Sequence, residues 1–81
     1  MAYLTYIVRC SDGTFYTGWT DDIDKRLDAH NKGVGSRYTR ARLPVELVHK
    51  EEFASKSEAM RRERAIKKMP RAAKQRMIRE L

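Results

Sequence analysis

The chain has 81 residues, of which 36% are charged and 41% are hydrophobic, and its formal net charge is +7 at pH 7. This length predicts a single domain, residues 1–81, which buries only about 60% of the surface that its unfolded chain exposes. The single Cys10 excludes an internal disulfide, and no apolar run approaches the roughly 18 residues of a membrane span, so we expect a protein of the reduced cytoplasm and not of the membrane.

A β-hairpin is the first element that the sequence predicts. Residues 4–10 and 14–19 are rich in β-branched and aromatic side chains, which favour strands. Asp12-Gly13 between them is a strong signal for a tight turn. We therefore expect two antiparallel strands that are joined by a short loop.

The length of that loop decides which side chains of the hairpin share a face. A two-residue loop would set Tyr6 opposite Trp19 and point Tyr6 and Tyr16 to opposite faces, because the side-chain period along a strand is two. A three-residue loop with Gly13 in the left-handed conformation pairs Tyr6 with Gly18. Both tyrosines then share a face. We favour this second register, in which Gly18 leaves an opening over Tyr6 where a substrate backbone could approach.

A helix is predicted after the hairpin. Thr20 or Asp21 can cap its N-terminus, because short polar side chains accept hydrogen bonds from the first free N–H groups. Gly33 stands where a residue in the left-handed conformation commonly terminates a helix. Ile23 and Leu27 are one turn apart and form the apolar stripe that we expect to face the sheet.

Two side chains of chemical interest lie on the flank of this stripe. At about 100° per residue, Arg26 and His30 are one turn apart, at the edge of the buried seam. Tyr6 and Tyr16 of the hairpin are expected within reach of them. Each of these side chains alone is better explained by packing or by solvent exposure than by catalysis. Together they predict a site in which two phenols, a guanidinium and an imidazole converge.

A basic loop, residues 31–44, connects this helix to the next strand. Its cations have no acidic residue between them, and an aromatic ring lies in their midst. Such a composition suits phosphates and unstacked bases. The predicted nucleic-acid contacts here are Lys32, Arg37, Tyr38 and Arg40. The alternative, to which we give equal weight, is an ordinary exposed loop in which Tyr38 covers the core.

One strand and two helices complete the predicted fold. Residues 45–53 form a third strand, in which His49 is structural or exposed. Ser55 caps a second helix, which Pro70 ends, and residues 71–81 form a last helix with an apolar packing stripe. The predicted fold class is therefore a small α/β (α+β) domain in the order ββαβαα, with a three-stranded antiparallel sheet flanked by helices.

The excess positive charge lies in the C-terminal third of the chain. Residues 1–53 carry eight Lys or Arg and eight Asp or Glu, whereas residues 54–81 carry ten and three. This block favours the phosphates of a nucleic acid over a membrane surface, because its helices have no Trp or Phe to enter lipid. The contacts predicted in this block are Arg61, Arg64, Lys67 and Lys68.

Glu63 is an anomaly, because it falls in the apolar stripe of the second helix beside Ala59 and Ile66. A carboxylate in such a stripe costs stability unless it is paired or binds a cation. One explanation is a structural salt bridge to Arg26 or Lys67. The other is a metal ion, so the residues alone leave two roles open.

A set of residues in a fixed order resembles the GIY-YIG nuclease domain. The set comprises Tyr6, Tyr16-Thr17-Gly18, Arg26, His30 and Glu63. The first of the family's two triplets reads Leu4-Thr5-Tyr6 here, so only the tyrosines and the second glycine are kept. The likeness is to the small stand-alone bacterial YhbQ-like group (UPF0213), and it extends from about residue 3 to residue 78, nearly the whole chain.

This resemblance implies metal-dependent hydrolysis of phosphodiester bonds. Glu63 would hold one Mg²⁺ (or Mn²⁺) that polarises the scissile phosphate. Tyr6 and Tyr16 would orient or deprotonate the attacking water, with His30 as a nearby proton acceptor. Arg26 would offset the charge that builds on the phosphate.

The expected substrate is DNA rather than RNA, in the repair or processing of structured DNA. The sequence contains no accessory recognition domain, so we expect a protein partner to supply substrate specificity. The main alternative is a non-catalytic nucleic-acid-binding module or a subunit of a repair complex. A second alternative is a small interaction domain whose basic face meets an acidic protein. Mg²⁺-dependent cleavage separates the enzyme from both.

Overall fold

The computed structural model of the chain describes residues 2–79. Its elements are β1 (Tyr3–Arg9), β2 (Phe15–Thr20), α1 (Ile23–Asn31), α2 (Arg37–Arg40), β3 (Glu46–Phe53), α3 (Lys56–Lys67) and α4 (Arg71–Arg79). The strands form one sheet in the order β2-β1-β3, and β1 runs antiparallel to both neighbours. This confirms the predicted fold class. Residues 80 and 81, which the sequence assigned to the last helix, lie outside the described range.

The register of the hairpin is the one that the three-residue loop predicted. Tyr6 pairs with Gly18, and Val8 pairs with Tyr16. Gly13 has a φ of +84°, the left-handed conformation that this turn requires and that glycine adopts without a steric penalty. Tyr6 and Tyr16 therefore point to the same side of the sheet.

The start of α1 lies one residue later than predicted. Asp22, and not Thr20 or Asp21, is the N-cap, and its side chain accepts a 3.1 Å hydrogen bond from the backbone N–H of Lys25. Thr20 is still the last residue of β2, and its hydroxyl accepts a hydrogen bond from the Asp22 N–H, which braces the turn before the helix. The predicted terminator, Gly33, is confirmed by its φ of +83°.

The basic loop contains one helical turn, α2, that the sequence analysis missed. Ser36 is its N-cap, with an extended backbone and a side-chain oxygen that accepts a hydrogen bond from the Thr39 N–H at 3.1 Å. The observed element order is therefore ββααβαα. A serine before four residues without glycine or proline is a capping signal, but so short a helix has too little periodicity to be recognised.

Both faces of the central strand β1 are covered. Tyr6 and Val8 are buried in the cluster that includes the apolar stripe of α1. Thr5 belongs to the other face, because its hydroxyl donates a 2.7 Å hydrogen bond to the carbonyl of Ala59 on α3. Ala59 and Ile66 are the fully buried residues of that helix. Helices α1 and α3 therefore enclose β1 from opposite sides.

His49 on β3 is structural, as one of its two predicted roles required. Its Nε2 lies 2.7 Å from a carboxylate oxygen of Glu51, which also accepts two hydrogen bonds from Arg62 on α3. Burial opposes ionisation of Glu51, but the hydrogen bonds from Arg62 and His49 lower the pKa of this carboxyl below its usual range. The cluster ties α3 to the sheet.

Within residues 2–79, none of the helices has the length and apolar composition that crossing a bilayer requires.

Candidate active site

Tyr6 and His30 form the buried centre of the candidate site. The hydroxyl of Tyr6 lies 2.9 Å from His30 Nε2, and the two side chains are 1% and 0% exposed. The prediction that His30 lies at the edge of the buried seam is therefore wrong, because its side chain is fully buried. The reason is that the carboxyl end of α1 approaches the sheet where Gly18 leaves room for the Tyr6 ring.

The predicted opening over Tyr6 is also corrected. A Cβ atom placed on Gly18 would lie 2.6 Å from the Tyr6 hydroxyl oxygen, well inside van der Waals contact. The space that glycine leaves is therefore filled by Tyr6 itself and is not available to a substrate backbone. Gly18 is required here for close packing rather than for access.

Tyr16 joins this centre from the half-buried rim of the site. Its ring centroid lies 5.4 Å from that of His30 in an edge-on arrangement, and 6.0 Å from that of Tyr38 in a stacked one. The ammonium of Lys67 is 6.0 Å from the same ring. The structure thus brings the two predicted tyrosines together around His30, with Tyr16 on the outer side.

Tyr38 lies between Tyr16, on which it stacks, and the surface of the protein. Tyr38 is 37% exposed, and the guanidinium of Arg42 lies 3.9 Å from its ring centroid. Arg42 is itself fixed by a 3.0 Å ion pair with Asp12 and by the carbonyl of Tyr38. The ring therefore covers Tyr16 and also reaches the surface, and its contact with nucleic acid stays a prediction.

The charge of Arg26 acts on the Tyr6–His30 pair. Burial, followed by the nearby Tyr16, raises the pKa of the Tyr6 phenol well above its usual range, while Arg26 acts in the opposite direction. Burial and then Arg26 lower the pKa of His30, which keeps the imidazole neutral near pH 7. Arg26 is half-buried and has no ion-pair partner within residues 2–79.

Glu63 lies at the margin of the same centre. Its side chain is 17% exposed, and its Oε2 is 3.2 Å from the Nζ of Lys67, one turn along α3. Lys67 rather than Arg26 is therefore its partner. Because the Lys67 side chain is 51% exposed, water screens the pair, and such pairs contribute only about 0–1 kcal/mol. Lys67 can leave Glu63 at little cost.

The donor set fits a metal ion that is shared with a substrate. Within the described range, no group of three or more His, Cys, Asp or Glu side chains is placed to hold a metal ion. Glu63 offers a single carboxylate. Mg²⁺ in phosphate-processing sites is commonly held by one or two carboxylates together with waters and substrate phosphates. Glu63 matches that pattern and not a preformed protein cage.

The predicted nucleic-acid contacts are all exposed, but they form two groups. One group lies on the segment around α2 and comprises Lys32, Arg37, Tyr38 and Arg40. The other comprises Arg61, Arg64 and Lys67 on α3 and Lys68, the residue that caps its carboxyl end. Lys32 is paired with Asp28 at 2.7 Å, through side chains that are both well exposed.

Arg61 does not lie with its neighbours on α3. At about 100° per residue, Lys67 and Arg64 fall within roughly a quarter turn of Glu63, whereas Arg61 falls on the opposite side of the helix. Arg61 lines a separate depression together with Phe53 and Arg62. The structure therefore does not bring Arg61 to the site.

Two residues of the site were missed by sequence reasoning. Thr39 is fully buried, and its hydroxyl oxygen lies 2.8 Å from His30 Nδ1. Gly35 packs so closely on the imidazole that a Cβ atom there would lie 2.4 Å from Nδ1. The cap at Ser36 could have revealed the turn, but nothing in the sequence links Thr39 to His30, because this contact depends on how the turn docks onto α1.

Comparison with known proteins shows relatives over nearly the whole described range. The GIY-YIG catalytic domain family matches residues 2–76. A UPF0213 protein of Halobacterium salinarum is 57% identical over 70 residues, which cover 86% of this chain and 91% of that protein. A UPF0213 protein of Streptococcus agalactiae is 56% identical over 73 residues, which cover 90% of this chain and 82% of that protein.

Solved structures show the same likeness. The solution NMR structure of a UPF0213 protein from Bacillus halodurans is 44% identical, with a TM-score of 0.61 over 96% of this chain and 83% of the other. That of a protein from E. faecalis is 38% identical, with a TM-score of 0.66 over 99% of this chain and 85% of the other. Together with the match over residues 2–76, these relatives show that the chain belongs to the GIY-YIG catalytic domain family, in its UPF0213 group.

Proposed function

We propose that this protein is a divalent-metal-dependent endonuclease that hydrolyses phosphodiester bonds in DNA. The observation that carries the proposal is the convergence of the family's chemical groups on one buried pair. Tyr16 contacts His30, and Arg26 and Glu63 are both close enough to Tyr6 for their charges to shift its pKa. A phosphate-binding cation, a carboxylate and two phenols in one place suit hydrolysis of a phosphodiester.

Glu63 is the residue that would hold the metal ion, Mg²⁺ or Mn²⁺. When bound, the ion supplies Lewis-acid polarisation of the scissile phosphate and stabilises the leaving 3′ oxygen. Before substrate arrives, Lys67 neutralises the carboxylate at 3.2 Å. Because Lys67 is half-exposed, it can exchange Glu63 for a phosphate oxygen of the substrate.

Arg26 would bind the phosphate. Its planar guanidinium can donate to two phosphate oxygens at once, and its charge offsets the negative charge that builds during the reaction. Since Arg26 has no ion-pair partner within residues 2–79, no salt bridge has to break before these donors bind a phosphate.

Tyr6 and Tyr16 would have different roles in the reaction. Tyr16 is half-buried at the rim, so it is the phenol that orients the attacking water or accepts its proton. Tyr6 is 1% exposed and has no direct path to such a water, so it acts from behind through its contact with His30. The neutral His30 serves as the hydrogen-bond acceptor for that inner phenol.

Nucleic acid would approach along the basic groups of α2 and α3, with DNA favoured over RNA. The proposed setting is repair or processing of structured DNA in the cytoplasm, with a protein partner that supplies specificity. Exposed cations on both segments support an electrostatic interface with phosphates.

A cleavage screen tests this proposal. Labelled single strands, duplexes, flaps and RNA are incubated with the protein in the presence and absence of Mg²⁺ or Mn²⁺, beside the Glu63→Gln variant. We expect metal-dependent cleavage of at least one DNA form by the wild type only. Salt-sensitive binding without cleavage of any substrate would contradict the proposal and favour a non-catalytic binding module. Neither binding nor cleavage would favour a protein-interaction domain.

A further inference from the structure

A chain of buried hydrogen bonds extends from Tyr6 to the cap of α2. The Tyr6 hydroxyl lies 2.9 Å from His30 Nε2, and His30 Nδ1 lies 2.8 Å from the Thr39 hydroxyl oxygen. The Thr39 oxygen is in turn 2.9 Å from the hydroxyl of Ser36. Tyr6, His30 and Thr39 are each no more than 1% exposed, so water does not compete for these bonds.

The direction of these hydrogen bonds follows from counting donors and acceptors. Within residues 2–79, His30 Nε2 is the only polar atom in hydrogen-bond contact with the Tyr6 hydroxyl. If Nε2 carried the proton, the buried Tyr6 proton would have no acceptor, and a buried donor without an acceptor destabilises the fold. The Tyr6 hydroxyl therefore donates to Nε2. The single proton of the neutral imidazole is then on Nδ1, which donates to Thr39.

The Thr39 hydroxyl has two acceptors within reach for its own proton. Its hydroxyl can donate to the Ser36 hydroxyl oxygen at 2.9 Å, or to the Ser36 carbonyl at 3.4 Å. It is thus free to accept from His30 while it donates to the capping residue. Tyr6, His30 and Thr39 can all donate their protons only if the hydrogen bonds point from Tyr6 toward Ser36.

Packing holds the imidazole so that its hydrogen bonds alone decide its tautomer. A Cβ atom on Gly35 would lie 2.4 Å from Nδ1 and 2.6 Å from Cγ of His30, so the backbone at Gly35 presses on the ring. The rings of Tyr6 and Tyr16 contact it edge-on at 5.9 Å and 5.4 Å between centroids. The ring has no room to rotate toward other partners.

We propose that Thr39 is a positioning residue of the nuclease site, which holds His30 in the Nδ1–H tautomer so that Nε2 accepts the proton of Tyr6. Its effect on turnover rests on the proposed function, whereas its effect on the tautomer does not. In this arrangement the buried Tyr6 hydroxyl acts through His30, whose ring lies against that of Tyr16 at the rim of the site. Residues that orient a metal-binding histidine change activity or metal affinity by about 10- to 100-fold when they are lost, and we expect an effect of that order for Thr39.

Thr39→Val and Thr39→Ser separate this role from packing. Valine keeps the shape of threonine and removes the hydroxyl, whereas serine keeps the hydroxyl and removes a methyl group. Long-range ¹H–¹⁵N NMR reports which ring nitrogen of His30 carries the proton. We expect Nδ1–H in the wild type and in Thr39→Ser, and a shift toward Nε2–H in Thr39→Val. In kinetics, Thr39→Val should lower kcat about 10- to 100-fold with little change in KM, and Thr39→Ser should stay close to the wild type.

The proposal is overturned by an Nε2–H tautomer in the wild type. It is also overturned if Thr39→Val keeps the Nδ1–H tautomer, or if the two variants lose kcat equally and in step with melting temperature. The NMR measurement uses the free protein. A chain that cleaves no substrate would therefore count against the proposed function alone, and the wild-type and Thr39→Val spectra would still decide on Thr39.

Discussion

Arg26 combines partial burial with a guanidinium that forms no ion pair within residues 2–79. Most arginines of this kind would pair with a carboxylate, because a half-buried charge without a partner destabilises the fold. Here the charge instead lowers the pKa of His30, after the larger effect of burial. We therefore expect Arg26 to bind a ligand rather than to stabilise the fold.

We expect Arg26→Lys to lower turnover by about 10²-fold, the effect of losing one donor to a developing charge, with little change in affinity for DNA. Lysine keeps the positive charge but loses the planar fork that binds two phosphate oxygens. Steady-state cleavage and a binding assay measure the two quantities. Lys25→Gln, at an exposed position on the same helix, is the matched control. Wild-type turnover in Arg26→Lys would reduce Arg26 to a general surface charge.

Glu63→Gln separates a catalytic carboxylate from a structural one. Its partner Lys67 is half-exposed, so the lost ion pair should change the free energy of unfolding by only about 0–1 kcal/mol. The much larger cost expected for a buried partner does not apply. We expect metal-dependent cleavage to disappear while DNA binding and the melting temperature are kept. Glu58→Gln, at an exposed position of α3, is the control and should leave cleavage intact. A Glu63→Gln variant that still cuts DNA would contradict the assignment of Glu63 as a metal ligand.

At the scale of secondary-structure elements, α3 presents different chemistry on different sides. Ala59 and Ile66 are buried, Glu63 and Lys67 border the site, and Arg61 lines a separate depression. A block of positive charge that looks uniform in the sequence is therefore divided by the helix into cations near the site and cations away from it.

This division predicts unequal salt effects. We expect Arg64→Gln combined with Lys67→Gln to weaken binding to all DNA sequences alike and to reduce the slope of log affinity against log salt by about one unit per lost phosphate contact. Arg61→Gln is the control and should leave the slope nearly unchanged. Affinities measured over a range of salt concentrations test this. Equal slopes for the double variant and the wild type would remove this side of α3 from the interface.

The same elements show how far local sequence determines structure. The register that pairs Tyr6 with Gly18 could be predicted, because the turn and the two-residue period are local. The depth of His30 and its contact with Thr39 could not be predicted, because both depend on how α1 and α2 dock onto the sheet. Glu63 could be singled out because a carboxylate in an apolar stripe breaks the pattern, and its role as a metal ligand stays a prediction. Its partner remained open, because an exposed lysine and an arginine from another helix fit the pattern equally.

At the scale of the whole molecule, a buried neutral histidine couples folding to pH. The folded-state pKa of His30 lies below its usual value, because burial and Arg26 disfavour the imidazolium. In the unfolded chain, a histidine has a pKa of about 6.5. Between these values the unfolded state binds more protons, so stability is full above the unfolded pKa and is lost as pH falls toward the folded pKa.

We therefore expect the melting temperature to decrease as pH is lowered from about 7 to 5, before most carboxylates protonate. In His30→Gln the slope of melting temperature against pH over this window should be shallower, whatever the absolute stability of the variant. Calorimetry or circular dichroism at several pH values measures both slopes. Identical slopes in the two proteins would show that His30 does not carry this pH dependence.

The short helix α2 carries both exposed and fully buried side chains. Arg37 and Arg40 are exposed, whereas Thr39 between them is fully buried against His30. Because both arginines and Thr39 belong to the same helical turn, we expect a phosphate that binds either arginine to shift the Thr39 hydroxyl. The buried histidine can thereby sense occupancy of the surface. Linkage makes the effect reciprocal, so we expect DNA affinity, titrated against pH, to change as His30 gains its proton. A domain of this size would then possess allosteric communication without a hinge or a second subunit.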